Sequence, residues 1–221
     1  MAISLRREQP WRTRLFSVLG LGEERVFGTR QVHSQRIMVV DDQPAEALAT
    51  VEADGMITDG PDTVLSVTVA DCLPIFLLDT ASGAFGLVHS GWKGTGIVLE
   101  ALRAMRARYG TLPRNVTATI GPGIGACCYR VAEERAAFFA GQFGTATVVR
   151  HQDGRPSLDL REANIALLRT AGVEELTVVN DCTSCTEALG SYRRQGPESY
   201  TLMLACIGRW RPPAEAGGRG P

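Results

Sequence analysis

Three short runs rich in branched and aromatic apolar residues follow one another in the middle of the chain, at Val64–Val69, Ile75–Leu78 and Ala84–Val88. Runs of this length and composition, bounded by turn residues, are typical of strands. The segment Asp79-Thr-Ala-Ser-Gly83 separates the last two runs and has the composition of a hairpin loop. The centre of the chain therefore predicts neighbouring strands of one sheet, which limits the fold to architectures built around a β-sheet.

Helical patterns and further strands surround these central runs. The predicted helices are residues 11–21, Thr95–Tyr109, Val131–Ala140 and Leu160–Arg169, the last with Asp159 as candidate N-cap. The further predicted strands are Val26–Phe27, Arg36–Val40, Val116–Ile120, Thr145–Arg150, Leu176–Val179 and Tyr200–Ile207. Because hairpin-like and strand–helix–strand stretches occur together, the predicted fold is α/β (α+β), with a mixed β-sheet core covered by helices in a single domain.

Length and charge narrow the classes of function. A chain of 221 residues fits one large domain, which we assign to residues 1–210, with a Pro- and Gly-rich disordered tail at 211–221. A formal net charge of −1 argues against an electrostatic grip on nucleic acid or on an anionic membrane. No apolar run approaches the roughly 20 residues of a spanning helix, and the N-terminus lacks a signal-peptide core. We therefore expect a cytoplasmic protein that binds neither nucleic acid nor membrane, and no protein partner is evident.

Two of the three histidines and one of the six cysteines stand where predicted strands end. These residues are His33, Cys72 and His89. Thiolate and imidazole are zinc ligands, and a catalytic zinc site keeps three protein ligands and an open fourth position. Alternatively, Cys72 could be a nucleophile with His89 as its base and Asp71 orienting the ring. Sequence spacing leaves both alternatives open, together with a third in which the two histidines are ordinary loop residues and Cys72 is a buried thiol.

Two other groups of residues could carry chemistry. Cys182-Thr-Ser-Cys185 could be a redox pair, or it could form half of a structural zinc site with Cys127 and Cys128. Adjacent cysteines chelate one ion poorly, so the prediction is a loop with incidental thiols. The adjacent Arg193 and Arg194 form a candidate anion clamp, because paired guanidinium groups match the geometry of phosphate.

Taken in order, these motifs resemble the YfiH-like family, whose members are also called polyphenol oxidoreductase (laccase-domain) proteins or purine nucleoside phosphorylases. The resemblance extends from about residue 26 to residue 209. The matching segments are Gln31-Val-His33, Glu52-Ala-Asp-Gly-Met-Ile-Thr-Asp59, Val67-Thr-Val-Ala-Asp-Cys-Leu-Pro74, Val88-His-Ser-Gly-Trp-Lys-Gly-Thr95, Ile120-Gly-Pro-Gly-Ile-Gly-Ala-Cys-Cys-Tyr129, Leu158-Asp-Leu160 with Asn164, Asp181-Cys-Thr183 and Ser191-Tyr-Arg-Arg194.

The resemblance implies zinc bound by His33, Cys72 and His89. It also implies phosphorolysis of adenosine, inosine and methylthioadenosine to the base and ribose 1-phosphate, with possible deamination of adenosine. Deamination would suit such a site, since zinc activates water and Asp71 could move protons. Copper-dependent phenol oxidation is disfavoured, because three histidines are too few for a trinuclear copper cluster and a separate copper centre.

Residues around the metal complete the prediction. Lys93, Arg193 and Arg194 are candidate phosphate ligands, and Gln31 is a candidate substrate-binding residue. Two positions depart from the family pattern, with Lys93 in place of the usual Arg and Arg130 in place of the usual Glu. Family members usually begin with a further N-terminal segment that this chain starts too late to contain, so the sequence leaves open whether the pocket is complete. Two alternatives therefore stay open, a metal-free cysteine hydrolase using Cys72 and His89, and a non-catalytic nucleoside- or metal-binding protein.

Overall fold

Strands and helices contribute about equally to the regular structure of the computed structural model, which describes residues 2–3, 16–17, 20, 22 and 25–209. The strands are Ala2–Ile3 (β1), Val26–Phe27 (β2), Ile37–Val39 (β3), Gly55–Thr58 (β4), Val64–Val69 (β5), Leu73–Asp79 (β6), Phe85–Ser90 (β7), Val116–Ile120 (β8), Val148–Arg150 (β9), Pro156–Leu158 (β10), Glu175–Val178 (β11) and Met203–Gly208 (β12). The α-helices are Ala45–Leu48 (α1), Ile97–Tyr109 (α2), Glu133–Phe143 (α3), Leu160–Thr170 (α4) and Tyr192–Gln195 (α5).

Two larger sheets and one small ribbon contain these strands. A six-stranded mixed sheet has the order β11-β8-β6-β7-β4-β3, and a four-stranded sheet has the order β1-β12-β5-β2. The ribbon pairs β9 with β10. Strands β6 and β7 form the predicted antiparallel hairpin, and β4 pairs antiparallel with the other edge of β7. The predicted fold class, a mixed sheet core with helices in a single domain, is confirmed.

The central strands are buried on both faces, which explains their nearly continuous apolar runs. On β6, Ile75 and Leu77 face a core that includes residues of α2 and α4, whereas Phe76 faces a second core. That second core lies between the two sheets and receives Leu65 of β5 and Met203 of β12. The six-stranded sheet is therefore the middle layer of three, with helices on one side and the smaller sheet on the other.

The predicted elements are largely present, with shifted ends. The strands predicted at Val26–Phe27, Val64–Val69 and Val116–Ile120 have the predicted bounds. Strands β1, β4 and β10 were not predicted, and β4 and β10 begin with Gly55 and Pro156, residue types that are depleted in strands. Residues 145–147, predicted as the start of a strand, form a 3-10 turn instead.

Parts of the sequence-based prediction fall largely outside the described residues. The predicted tail at 211–221 lies outside them entirely. Of the predicted helix at 11–21, residues 16, 17 and 20 are described, and Phe16 and Ser17 are helical. Within the described part of the chain, no helix is both long enough and apolar enough to cross a membrane.

Candidate metal centre and substrate pocket

Three separate segments bring His33, Cys72 and His89 together. Cys72 directly precedes β6, and His89 lies on β7 opposite Pro74, so the hairpin register sets the thiol beside the imidazole. The loop between β2 and β3 supplies His33, whose ring meets that of His89 edge to face with centroids 4.9 Å apart. One potential ligand atom from each of the three residues lies within 4.8 Å of the other two. The structure thus brings together the three side chains that were predicted from the sequence to bind a metal.

A buried carboxylate that the sequence analysis did not assign organises this cluster. Asp54 is fully buried, and its Oδ1 lies 2.9 Å from Nδ1 of His89. The same carboxylate accepts backbone N–H bonds from Val32, His33 and Ser34, at 3.1, 2.9 and 2.7 Å. The backbone carbonyl of Asp54 also accepts a hydrogen bond from the backbone N–H of His89, at 2.7 Å. Asp54 therefore fixes the ring of one histidine and the backbone of the other.

The only signal that could have revealed Asp54 was its place in the segment Glu52–Asp59, quoted above for the family resemblance. Composition and spacing gave no reason to pair it with His89. That pairing depends on β4, which follows Asp54 directly and sets Gly55 opposite Val88. Because β4 was not predicted, the contact was invisible in the sequence.

Two residues of the site have left-handed backbone, which is uncommon for residues other than glycine. His33 has φ 60° and Asp71 has φ 86°. Such conformations cost on the order of 1–3 kcal/mol each and persist where surrounding contacts hold them. At His33 the contacts are the N–H bonds to Asp54. At Asp71, Oδ1 accepts from Thr183 Oγ1 at 2.6 Å and Oδ2 from the backbone N–H of Arg193 at 2.7 Å.

These contacts give Asp71 an anchoring position. Both of its carboxylate oxygens are engaged by the loops after β11 and around α5, and its carbonyl accepts from Ile124 N at 2.8 Å. Asp71 lines the pocket beside Cys72. The carboxylate in contact with the His89 ring, however, is that of Asp54. The catalytic role predicted for Asp71 stays a prediction.

The electrostatics of the cluster favour charged forms. Burial alone would raise the pKa of Cys72, but hydrogen bonds with His33 and His89 outweigh it and lower that pKa to about 7. Burial opposes protonation of His89, yet the Asp54 and Cys72 side chains raise its pKa to about 9. Burial likewise opposes ionisation of Asp54, but hydrogen bonds from His89 and Ser34 hold its pKa well below the usual range. A thiolate is therefore accessible at neutral pH.

The donor set fits a zinc ion. One thiolate and two imidazoles are common zinc ligands, and three protein ligands leave a fourth position open. Because Nδ1 of His89 is engaged by Asp54, Nε2 is the nitrogen that would bind a metal, an arrangement typical of metal-ligating histidines. Space beside the donors is kept by Gly91, where a Cβ would lie 2.7 Å from Sγ of Cys72 and 3.4 Å from Cδ2 of His33.

The three donors open into a pocket of about 630 Å³, a volume typical of small-molecule sites. Its aromatic lining was not predicted, because the residues come from distant segments. Tyr192 and Tyr200 meet edge to face with ring centroids 5.1 Å apart, and both are exposed. The lining residues are Gln31, His33, Thr68, Ala70, Asp71, Cys72, His89, Trp92, Lys93, Ile124, Tyr129, Arg135, Leu160, Tyr192, Arg193, Tyr200 and Leu202.

Three cationic side chains line the same pocket. The guanidinium carbon of Arg135 lies 4.4 Å from the centre of the Trp92 ring, and Nζ of Lys93 lies 5.7 Å from it. Arg193 donates to the carbonyls of Cys128 and Arg130, at 2.9 and 3.2 Å. Within residues 25–209, none of the three cations pairs with a carboxylate. The pocket can therefore attract an anion.

The other two predicted ligand-binding residues are engaged by the protein itself. Gln31 lines the pocket, but its amide donates to Thr68 O and accepts from Thr68 N, both at 2.8 Å. Arg194 does not line the pocket, and its guanidinium donates to the carbonyls of Thr183, Thr186 and Leu189. Arg194 thus holds a loop together, and Arg135 occupies the cationic position in the pocket lining that the sequence analysis did not find.

The chain is similar in sequence to proteins that are named purine nucleoside phosphorylases. A purine nucleoside phosphorylase of Deinococcus radiodurans is 36% identical over 208 residues, covering 93% of this chain and 79% of the relative. The purine nucleoside phosphorylase YlmD of Geobacillus stearothermophilus is 34% identical over 211 residues, covering 90% and 77%.

Solved structures agree with the sequence relatives. The crystal structure of YlmD from Geobacillus stearothermophilus matches with a TM-score of 0.83 and 33% identity, over 90% of this chain and 79% of that one. The Bacillus licheniformis hypothetical protein YfiH matches with a TM-score of 0.81 and 31% identity, over 89% and 79%. A family profile described as multi-copper polyphenol oxidoreductase laccase matches residues 9–209. The chain therefore belongs to this laccase-like YfiH family, as its motifs predicted.

Proposed function

We propose that the chain is a zinc-dependent purine nucleoside phosphorylase, which converts adenosine, inosine or methylthioadenosine and phosphate to the free base and ribose 1-phosphate. One observation carries the proposal: a three-donor metal centre, unpaired cations and aromatic walls share one pocket. Relatives named purine nucleoside phosphorylase support the reaction class. Copper oxidase chemistry finds less support, because the third histidine, His151, lies elsewhere and contacts Ser157.

The pocket residues suit the two substrates in different ways. Lys93, Arg135 and Arg193 would bind phosphate and hold it against the sugar. Tyr192 and Tyr200 offer ring faces and edges to a purine at the pocket rim. Burial, and then the charge of Cys72, raises the pKa of Tyr129 to about 12, so its hydroxyl stays a hydrogen-bond donor at neutral pH.

Zinc at His33, Cys72 and His89 would supply a Lewis acid at an open coordination position. That position is also the basis for a second activity, adenosine deamination, within the same proposal. Asp54 would keep the His89 ring oriented, as carboxylates beside ligating histidines do. A cytoplasmic location stays our prediction.

The test is turnover of adenosine by the purified full chain, with and without phosphate, resolved by chromatography of the products. We expect adenine release that requires phosphate, together with bound zinc. Inosine formed without phosphate would mean that deamination is the main reaction. Stoichiometric zinc without turnover of any of the three nucleosides would contradict the proposal and favour a binding protein.

Substitutions of the pocket cations test which side chains bind phosphate. We expect Lys93→Gln and Arg135→Gln each to raise the KM for phosphate about 10-fold or more, with a smaller effect on the KM for nucleoside. Arg103→Gln is the matched control, because Arg103 is exposed on α2 and pairs with Glu100. Equal effects on both KM values would argue against phosphate binding by these side chains.

A cysteine hydrolase is the second candidate, and one geometric observation favours it. Cys72, His89 and Asp54 form a connected series of thiol, imidazole and carboxylate, the arrangement of a nucleophile, its base and the orienting group. His33→Ala separates the candidates, because His33 is a metal ligand in one and lies outside the nucleophile–base–carboxylate series in the other. Activity that survives this substitution and metal removal, but is abolished by iodoacetamide, would favour the hydrolase.

A further inference from the structure

Four cysteines outside the pocket form a second cluster of metal donors. Cys127, Cys128, Cys182 and Cys185 bring their sulfur atoms within 4.8 Å of one another. Sγ of Cys185 lies 3.4 Å from Sγ of Cys128 and 3.7 Å from Sγ of Cys127. Zinc–sulfur bonds of about 2.3 Å place neighbouring sulfurs of a tetrahedral site about 3.8 Å apart. The cluster therefore has the dimensions of a four-thiolate zinc site.

Backbone contacts hold the four cysteines in this arrangement. A parallel bridge joins Gly123 to Cys182, so the loop after β8 lies beside the loop after β11. The backbone N–H of Cys185 donates to the carbonyl of Cys182 at 3.0 Å, and this hydrogen bond closes a tight turn over the C-x-x-C segment. Gly125 N donates to Sγ of Cys182 at 3.2 Å, and such hydrogen bonds support metal-ligating sulfurs. The prediction that these thiols are incidental rested on sequence spacing, which gave no sign of this contact between loops.

We propose that Cys127, Cys128, Cys182 and Cys185 bind a second, structural zinc ion. Four protein ligands leave no open position, which is the pattern of structural rather than catalytic zinc. Tetrahedral sites of four sulfurs select zinc or iron among the biological metals, and zinc requires no redox partner. The guanidinium of Arg161 also joins the two loops, because it donates to the carbonyl of Gly123 in one and of Asp181 in the other, at 2.7 and 2.6 Å.

This second site would stabilise one wall of the pocket. The carbonyl of Cys128 accepts from the guanidinium of Arg193 at 2.9 Å, and Tyr129 follows in the chain. The hydroxyl of Thr183, next to Cys182, donates to Asp71 beside the first metal centre. A zinc ion joining the two loops would therefore fix Arg193, Tyr129 and Asp71 without touching the substrate.

The test is the zinc content of the purified full chain, measured by plasma mass spectrometry against protein concentration. We expect two zinc ions per chain in the wild type and one in the Cys182→Ser/Cys185→Ser variant. The His33→Ala/His89→Ala variant should also retain one, which separates this proposal from that of the pocket metal. Ser184→Ala, in the same turn, is the control and should retain both. A zinc content that the double cysteine substitution leaves unchanged would overturn the proposal.

A second measurement on the wild type avoids reliance on variants that fold poorly. Zinc-free protein refilled with cobalt(II) should take up two equivalents, one of them giving the strong thiolate charge-transfer absorption of a four-sulfur site. A thiol-specific mercurial should release that equivalent as its four cysteine ligands react, and the pocket equivalent as Cys72 reacts. Iron at this site, or a disulfide among the four cysteines in the freshly purified protein, would contradict the assignment.

Discussion

Asp54 contacts both histidines of the metal centre, through the ring of His89 and the backbone of His33. An Asn at this position keeps the shape but removes the negative charge and half of the acceptor capacity. We therefore expect Asp54→Asn to lower zinc affinity about 10- to 100-fold, the usual effect of losing such an outer contact. Competition of the protein with a chromophoric chelator for zinc measures this change.

A second buried carboxylate supplies the control for that prediction. Asp79 is 1% exposed and lies at the opposite end of β6 from Cys72. Asp79→Asn should leave zinc affinity unchanged, even if the protein becomes less stable. An equal loss of zinc affinity in both variants would mean that general destabilisation, rather than orientation of His89, is responsible.

Gly91 gives a steric prediction at the same centre. A methyl group on Gly91 would lie 2.7 Å from Sγ of Cys72, closer than real contacts allow. Gly91→Ala should therefore displace the thiol and lower bound zinc to less than one half of the wild-type content at the pocket site. Metal analysis of the Cys182→Ser/Cys185→Ser background isolates that site.

Gly141→Ala is the matched substitution. Gly141 lies within α3, and a Cβ there would meet nothing within 4 Å. Alanine in a helix is favoured over glycine by about 1 kcal/mol, so this variant should gain stability and keep its zinc. Full zinc content in the Gly91→Ala variant would contradict the steric prediction, because it would show that the backbone at residue 91 can shift while Cys72 keeps its position as a ligand.

At the scale of elements, the turn between β6 and β7 sets the hairpin that joins Cys72 to His89. Asp79 accepts from the backbone of Ala81 at 2.9 Å and from the hydroxyl of Ser82 at 2.7 Å. Burial opposes ionisation of Asp79, but hydrogen bonds from Ser82 and the Ala81 N–H outweigh it and lower its pKa. The ionised form therefore stabilises the turn.

Because the pKa of Asp79 is lowered in the folded protein, the stability that this turn contributes should depend on pH. We expect Asp79→Asn to lower the free energy of unfolding by about 1–3 kcal/mol at neutral pH. Because the folded pKa lies below the unfolded value of about 3.9, the difference should be complete above about pH 5 and shrink as the pH falls further. Urea unfolding of both proteins across this range measures it, and a difference independent of pH would contradict the assignment.

Elements with a local pattern could be predicted from the sequence, and those set by distant contacts could not. The strand at Val64–Val69 and the helix N-cap at Asp159, which accepts from Glu162 N at 3.0 Å, follow from local composition. Strand β4 forms because β7 and β3 flank it, and no pattern of four residues reveals that. For the same reason, His33, Cys72 and His89 were accessible as strand-end residues, whereas Asp54 and Arg135 required the tertiary structure.

At the scale of the whole molecule, metal binding should be linked to folding. The pocket donors come from three distant segments, so an unfolded chain would bind the ion far less well than the folded one. Free zinc at 100 times the dissociation constant should raise the free energy of unfolding by about 2.7 kcal/mol per site. For a chain of this size we expect the Tm to rise by about 5–10 °C.

Calorimetry in zinc-buffered solutions measures this linkage. Magnesium at the same free concentration is the control, because a hard cation prefers oxygen ligands to thiolates. A Tm that does not change over a thousand-fold range of free zinc would contradict linkage at either site.

The pairing of β4 with β7 makes metal uptake a reporter of folding order. Gly55 lies opposite Val88, which sets Asp54 beside His89. A slip of one residue would turn each side chain of β4 to the other face of the sheet and carry Asp54 away from the ring. In refolding of the Cys182→Ser/Cys185→Ser variant followed with a zinc-sensitive dye, chains in the wrong register should lack the pocket zinc until they unpair. The proposed pocket zinc would thus act as a check on strand alignment, retained by chains whose central sheet has assembled correctly.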